Sequence, residues 1–177
     1  MTKKSNVGAA SSRDGRGKMP LPPQDVVVDV DTACKGNTPE VDFIETWVRR
    51  AVAAARVDDR PAEVSVRIVN EDEIRNLNRD YRQRDYATNV LSFPAGDIEG
   101  LPEDAAAALG DVVICAAVVA NEAAEQDKAL DDHWAHMLVH GTLHLIGFDH
   151  ETEVEAAAME ALEVSILAAS GVANPYQ

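Results

Sequence analysis

His133-Trp134-Ala135-His136-Met137-Leu138-Val139-His140-Gly141-Thr142-Leu143-His144-Leu145-Ile146-Gly147-Phe148-Asp149-His150 holds all five histidines of a chain of 177 residues. Read as a helix over about residues 131–146, it places residues four apart about 40° and about 6 Å from each other. His140 and His144 then project side by side and can grip one metal ion. His136 shares the spacing, but His136 and His144 are about 12 Å apart along the axis, too far for both to reach an ion at about 2 Å. Only one adjacent pair can serve. Gly147, three residues past His144, decides between them: a glycine there can end the helix in a left-handed turn and swing His150 back toward the same face.

The expected triad is therefore His140, His144 and His150. Three neutral imidazoles leave one Zn²⁺ its full charge and an open fourth position, the stoichiometry of a catalytic rather than a structural ion. Asp149 or a backbone carbonyl is the expected second partner that fixes a ring tautomer. His136 reads as a supporting or packing group and His133 as a surface residue at the helix start. Asp131 and Asp132 read as charges favoured by the helix dipole.

Helical H-x-x-x-H first suggests a zinc peptidase, in which a glutamate beside the first histidine acts as general base. Here that position is Gly141. Peptide hydrolysis would lack its proton acceptor. A phosphodiester makes a different demand, because its transition state spreads negative charge over oxygens that a metal ion and a guanidinium neutralise directly. Arg67, Arg75, Arg79, Arg82 and Arg84 supply guanidinium groups close together in sequence. On a helix over 71–82, Arg75, Arg79 and Arg82 fall within about 60° of one another, roughly opposite Ile74, Leu77 and Tyr81. Arg75 and Arg79 fit equally a solvated face paired with Glu71, Asp72 and Asp80. Arg82, at a helix-to-strand turn before Asp85 and Thr88, is the sharper candidate for a site.

The rest of the chain alternates strand-like and helix-like pieces. Asp25–Val30 reads as a strand, Thr38-Pro39 as an N-cap with proline at the first helical position, and the following helix runs to about Arg56 with Val41, Ile44, Val48, Ala51, Val52 and Ala55 on one stripe. Val64–Ile68 alternates like a half-buried strand, and Asn70 with Glu73 forms a capping-box-like start for the arginine helix. Thr88–Phe93 and Asp111–Cys115 read as strands, and helices are expected near 116–127 and 152–169. The class is α+β: a mixed sheet of about four strands packed by helices.

With 46% hydrophobic residues the chain can build a core without cross-links. Cys34 and Cys115 are the only cysteines, in no metal-ligand spacing. Two thiols in a reducing compartment is the plain reading. No apolar run approaches the roughly 20 residues of a membrane span, and an apolar signal segment is lacking, so a cytoplasmic location is expected. Residues 1–24, MTKKSNVGAASSRDGRGKMPLPPQ, show no periodicity and read as a disordered basic N-terminal extension ahead of a single domain, residues 25–177. Residues 1–18 carry +4, so the remainder carries −19 of the total −15. Such a body repels polyanions at long range, and no sequence-blind nucleic-acid binding is expected except where arginines gather.

The string His140–His150 resembles the H-G-x-L-H-L-x-G-[YF]-D-H signature of the YbeY family of ribosomal-RNA maturation endoribonucleases. Leu77-Asn78-Arg79-Asp80-Tyr81-Arg82 with Asp85 and Thr88–Pro94, and Gly110–Cys115, are similar to two further blocks of that family, in the same order over about residues 25–170. The resemblance implies a single-strand-specific, zinc-dependent endoribonuclease acting on ribosomal RNA, notably toward the 3′ end of the small-subunit RNA, and in ribosome quality control. It implies zinc on His140, His144 and His150, Arg82 facing the metal, and a sheet with a metal helix like that of zinc proteases. Its partners would be single-stranded ribosomal RNA and the ribosome or its proteins, with no membrane and no DNA. Asn89 departs from the pattern, standing where many members have Asp. A non-catalytic ribosome assembly factor with structural zinc is the alternative from another class, and a zinc peptidase the weaker one.

Overall fold

The computed structural model describes residues 25–58, 60–96, 100, 102 and 105–177; the extension 1–24 lies outside the described residues. Along the chain follow β1 (Val26–Thr32), α1 (Val41–Ala55), β2 (Ala62–Val69), α2 (Glu71–Arg82), β3 (Val90–Pro94), β4 (Ala107–Cys115), α3 (Ala116–Glu125), α4 (Leu130–Leu145) and α5 (Glu153–Ala168). The strands form one sheet in the order β1-β2-β4-β3. β1 and β4 run parallel to β2, and β3 runs antiparallel to β4. The mixed four-stranded α+β class read from the sequence is the one the chain adopts.

Strand alternation divides the core in two. Val64, Val66, Ile68, Val112 and Ile114 face the side on which α1, α4 and α5 pack. Val69, Leu91, Val113 and Cys115 face the other, closed by Ile74 and Leu77 of α2. α4 is the central helix: Trp134, Leu138 and Leu143 are wholly buried, and almost every residue between His133 and Leu145 is removed from solvent. A helix apolar nearly all round has to be surrounded, and α1, α3, α5 and the sheet surround this one.

Gly141 is where α4 comes down on the sheet. A Cβ there would stand 2.6 Å from Val112 Cγ1, 3.1 Å from Val90 Cγ2 and 3.3 Å from Ser92 Oγ. The Ser92 hydroxyl donates to the Gly141 carbonyl at 2.9 Å, tying β3 to the helix backbone. A side chain at this position would force Val112 to shift, so the glutamate of the peptidase pattern would be crowded against the sheet here.

Several local expectations are corrected. α1 begins at Val41 with Glu40, not Thr38, at the N-cap and no side chain capping it. Asn70 accepts from the Glu73 N–H at 2.9 Å as expected, but the Glu73 carboxylate takes Arg67 instead of closing the box. Tyr81 does not join the apolar side of α2; it is 69% exposed, and Asn78 is buried in its stead. β4 starts at Ala107, four residues ahead of the expected Asp111, because its first residues pair with Ala62 and Glu63 of β2. Cys34 and Cys115 are both free. Among the described residues no helix is long and apolar enough to cross a membrane.

Gly141→Ala is expected to destabilise the fold by about 1–3 kcal/mol, the usual cost of overpacking a tight contact. Val112→Ala in the same chain makes room, so the double variant should lose less than the two single losses added together. Denaturant melts of the four proteins read the coupling.

Candidate metal centre

The end of α4 is built to turn His150 back. Gly147 is left-handed, with φ 99°, its N–H donates to the His144 carbonyl, and the Phe148 N–H reaches the Leu143 carbonyl, both at 3.1 Å. This is the glycine-terminated closure that satisfies the last helical carbonyls. Three residues on, α5 opens with a reciprocal capping box between Thr152 and Glu155. His150 sits between these two closures, and its N–H donates to Asp149 Oδ1 at 2.8 Å.

One ligand nitrogen from each of His140, His144 and His150 comes within 4.8 Å of the others. Nε2 of His140 and Nε2 of His144 are 3.2 Å apart. Tetrahedral coordination at zinc–nitrogen bonds of 2.0–2.1 Å requires about 3.3 Å between ligands, so the pair already has the spacing of a bound ion. His140 and His144 are half-buried and His150 is exposed, which leaves one flank open. Burial first, and then the neighbouring imidazoles of His140 and His150, hold His144 down to about 4, so that ring is neutral at physiological pH and its lone pair is free. The donor set fits a zinc ion.

Beneath the rings lies Glu163 of α5, fully buried. It accepts from His140 Nδ1 at 2.7 Å and His136 Nε2 at 3.2 Å, and the Tyr176 hydroxyl donates to it. Burial works to raise this carboxyl; the three hydrogen bonds outweigh it and hold Glu163 down to about 2. A carboxylate on Nδ1–H fixes the His140 tautomer with its Nε2 lone pair outward. His136, His140 and Glu163 themselves form a compact group, but the His140 nitrogen in it is the one donating to the carboxylate. The support expected from Asp149 or a carbonyl thus comes for His140 from Glu163, and Asp149 instead holds the His150 backbone.

His133 is corrected from surface to core: it is 4% exposed, and its Nε2 meets Glu122 Oε2 at 2.8 Å. Glu122 also accepts from Asn89 Nδ2 at 3.2 and 3.1 Å. The His133 hydrogen bond is the main reason the Glu122 carboxyl lies below its usual range, with burial opposing it and Asn89 assisting. The Asn89 amide is thereby committed to bracing a carboxylate, a task for a neutral donor.

A cavity of about 180 Å³ opens over the imidazoles, with Arg82, Arg84, Tyr86 and Asn89 among its lining residues. The other arginines are engaged elsewhere. Arg75 makes two hydrogen bonds to Asp85, at 2.8 and 3.0 Å, and Arg79 pairs with Asp80. Arg67 pairs with Asp31 and Glu73. Among the described residues Arg82 has no ion-pair partner, so its guanidinium is available to the cavity.

The family model described as Endoribonuclease YbeY matches residues 31–171. A protein of Halorhodospira halophila named Endoribonuclease YbeY is 57% identical over 141 residues, covering 80% of this chain and 90% of its own. One of the same name from Alkalilimnicola ehrlichii is 50% identical over 160 residues, 88% of this chain and 93% of its own. The chain belongs to the YbeY endoribonuclease family. Its fold is shared with a Thermotoga maritima protein solved in solution, TM-score 0.51 and 23% identity over 81% of this chain and 89% of that one. The stretch matching the YbeY model includes the three histidines, Arg82, Glu122 and Glu163; Tyr176 lies beyond it.

Glu163, Glu122 and Tyr176 were not singled out by sequence reasoning. Glu163 did leave a signal: it interrupts the buried stripe Met159, Ile166, Leu167 of α5, where a carboxylate is tolerated only if donors meet it. Tyr176 left none, since it reaches Glu163 from the chain end.

His144→Ala is expected to abolish stoichiometric zinc binding while circular dichroism stays helical. Glu163→Gln, which removes the charge behind His140, should weaken zinc by about 10–100-fold. Tyr176→Phe should weaken it less, since two of three donors to Glu163 remain. Competition with a chromophoric chelator measures all three.

Proposed function

We propose that this chain is a single-strand-specific, metal-dependent endoribonuclease of ribosomal RNA processing, acting toward the 3′ end of the small-subunit RNA and in ribosome quality control. The observation that carries the reading is the convergence of three imidazoles beside the guanidinium of Arg82, which has no ion-pair partner among the described residues, in one open cleft. Its domain is residues 25–177, with 1–24 an appended basic segment. Its partners are single-stranded ribosomal RNA and the ribosome or ribosomal proteins, and the location of that substrate makes it a cytoplasmic enzyme, with no DNA and no membrane among its ligands.

His140, His144 and His150 would hold one zinc ion per chain. When bound, the ion supplies an uncompensated positive charge against which a phosphate oxygen or a water is polarised. Glu163 keeps the His140 ring from turning, so the ligand geometry is set before substrate arrives. Arg82 reaches the phosphate from the same cavity and stabilises the charge that grows on its oxygens. Gly141 keeps a glutamate base away from the metal face, which disfavours peptide hydrolysis and leaves phosphate-charge stabilisation as the main contribution of the protein. The open flank at His150 supports a catalytic ion over one that only braces the fold.

Arg82→Ala should lower kcat on a single-stranded ribosomal RNA fragment by about 100-fold, the usual loss when one stabilising donor is removed. Zinc content and melting temperature should be unchanged. Arg82→Lys should recover part of the rate, since charge returns without the planar fork. Unchanged cleavage by a folded, zinc-loaded Arg82→Ala protein would favour a non-catalytic assembly factor and a contaminating nuclease.

A further inference from the structure

The chain has three tyrosines, and two of them, Tyr81 and Tyr86, stand on either side of Arg82 in sequence. Tyr81 leans edge-on against Phe93, with ring centroids 5.1 Å apart. Tyr86 packs on no other ring among the described residues, is 52% exposed, and lines the cavity over the imidazoles. Its backbone, by contrast, is held firmly. Gln83 takes a left-handed conformation, φ 58°, that turns the chain out of α2. Asn78, 2% exposed, then closes the turn twice: its carbonyl accepts the Arg84 N–H at 3.2 Å, and its side-chain amide donates to the Tyr86 carbonyl at 2.8 Å. Arg84 Nη1 donates to the Tyr86 hydroxyl at 3.4 Å.

A turn already pinned needs no backbone ordering on binding, so the ring is presented to a flat partner at a fixed place in the cleft. The groups sharing its cavity say which partner fits. Arg82 and Arg84 suit a phosphate, and the aromatic face suits a base. A single strand can turn a base onto that face, whereas in a duplex the base faces are covered by their neighbours. The acidic body supplies no general attraction to a polyanion, so short-range contacts of this kind have to hold the strand.

We infer that Tyr86 is the stacking platform for one base of single-stranded RNA beside the phosphate held at the metal centre, with Arg84 at its rim. This deepens the endoribonuclease reading above and rests on it. Tyr86 thereby selects single strands, a task separate from the chemistry assigned to Arg82.

The test uses the zinc-loaded protein and uncleavable 2′-O-methyl RNA oligomers in which one abasic position is moved along the strand, with anisotropy as the readout. Wild type should bind the intact strand about tenfold more tightly than one particular abasic strand, within the range of one base–aromatic stack. Tyr86→Ala should reduce intact-strand affinity to that abasic value and leave the abasic strand unaffected. Tyr86→Trp should retain the preference, and zinc content should be equal throughout. Equal binding of intact and abasic strands by wild type, or an equal loss on both in Tyr86→Ala, overturns the assignment. Failure of the wild type to cleave any ordinary single-stranded RNA would instead overturn the endoribonuclease reading, and the inference with it.

Discussion

The backbone of α4 touches the sheet at Gly141, where only a hydrogen fits between the helix and Val112, Val90 and Ser92. That contact sets the rotation of the helix about its own axis. With position 141 against the sheet, positions 133, 136, 140 and 144 fall within an arc of about 80° on one side of the contact line. The rings follow one another along that side: His133 to His136 at 6.2 Å, His136 to His140 at 6.1 Å and His140 to His144 at 4.7 Å between centroids. A side chain at 141 would lift or rotate the helix and carry the whole row with it. The residue that removes the peptidase base is therefore the one that aims the imidazoles.

A row of imidazoles inside a protein needs acceptors, and two carboxylates from neighbouring helices supply them. Glu122 of α3 takes His133, and Glu163 of α5 takes His136 and His140. The last two rings of the row and His150 turn their remaining nitrogens toward one another. An ionised carboxylate with no exposed surface is tolerable only with several donors. Glu163 has three, one of them from Tyr176, five residues beyond the end of the family-matched stretch at residue 171. The chain end is itself tied down by Lys128, whose ammonium donates to the Pro175 carbonyl.

The convergence of His140, His144 and His150 was legible because its information is local: an i,i+4 pair, a glycine and a third histidine lie within eleven residues. The sheet was legible in its alternating valines and isoleucines, apart from the alanine start of β4, where pairing with β2 overrides composition. What escaped depends on contacts between distant segments. His133 looked like a polar residue at a helix start because nothing near it in sequence announces Glu122, eleven residues earlier on another helix. Tyr81 was placed on the core side by helical angle alone, yet α2 meets the sheet through a narrow stripe of Ile74 and Leu77, and the amide of Asn78 is what the turn at Tyr86 requires inside.

The charge pattern of the cleft follows the same logic of local exceptions. Five arginines stand between positions 67 and 84, but Arg67, Arg75 and Arg79 are each matched by a carboxylate, so their net field is small. Among the described residues Arg82 and Arg84 have no ion-pair partner, on a body carrying −19 outside its first 18 residues. Affinity for RNA that came from displacing counterions along a strand would need many such cations and would fall steeply with salt. Two guanidinium groups, three imidazoles and an exposed ring line one short-range cleft instead. Such a cleft suits a phosphate and a base already presented to it, while the surrounding negative surface turns away strands that are merely charged.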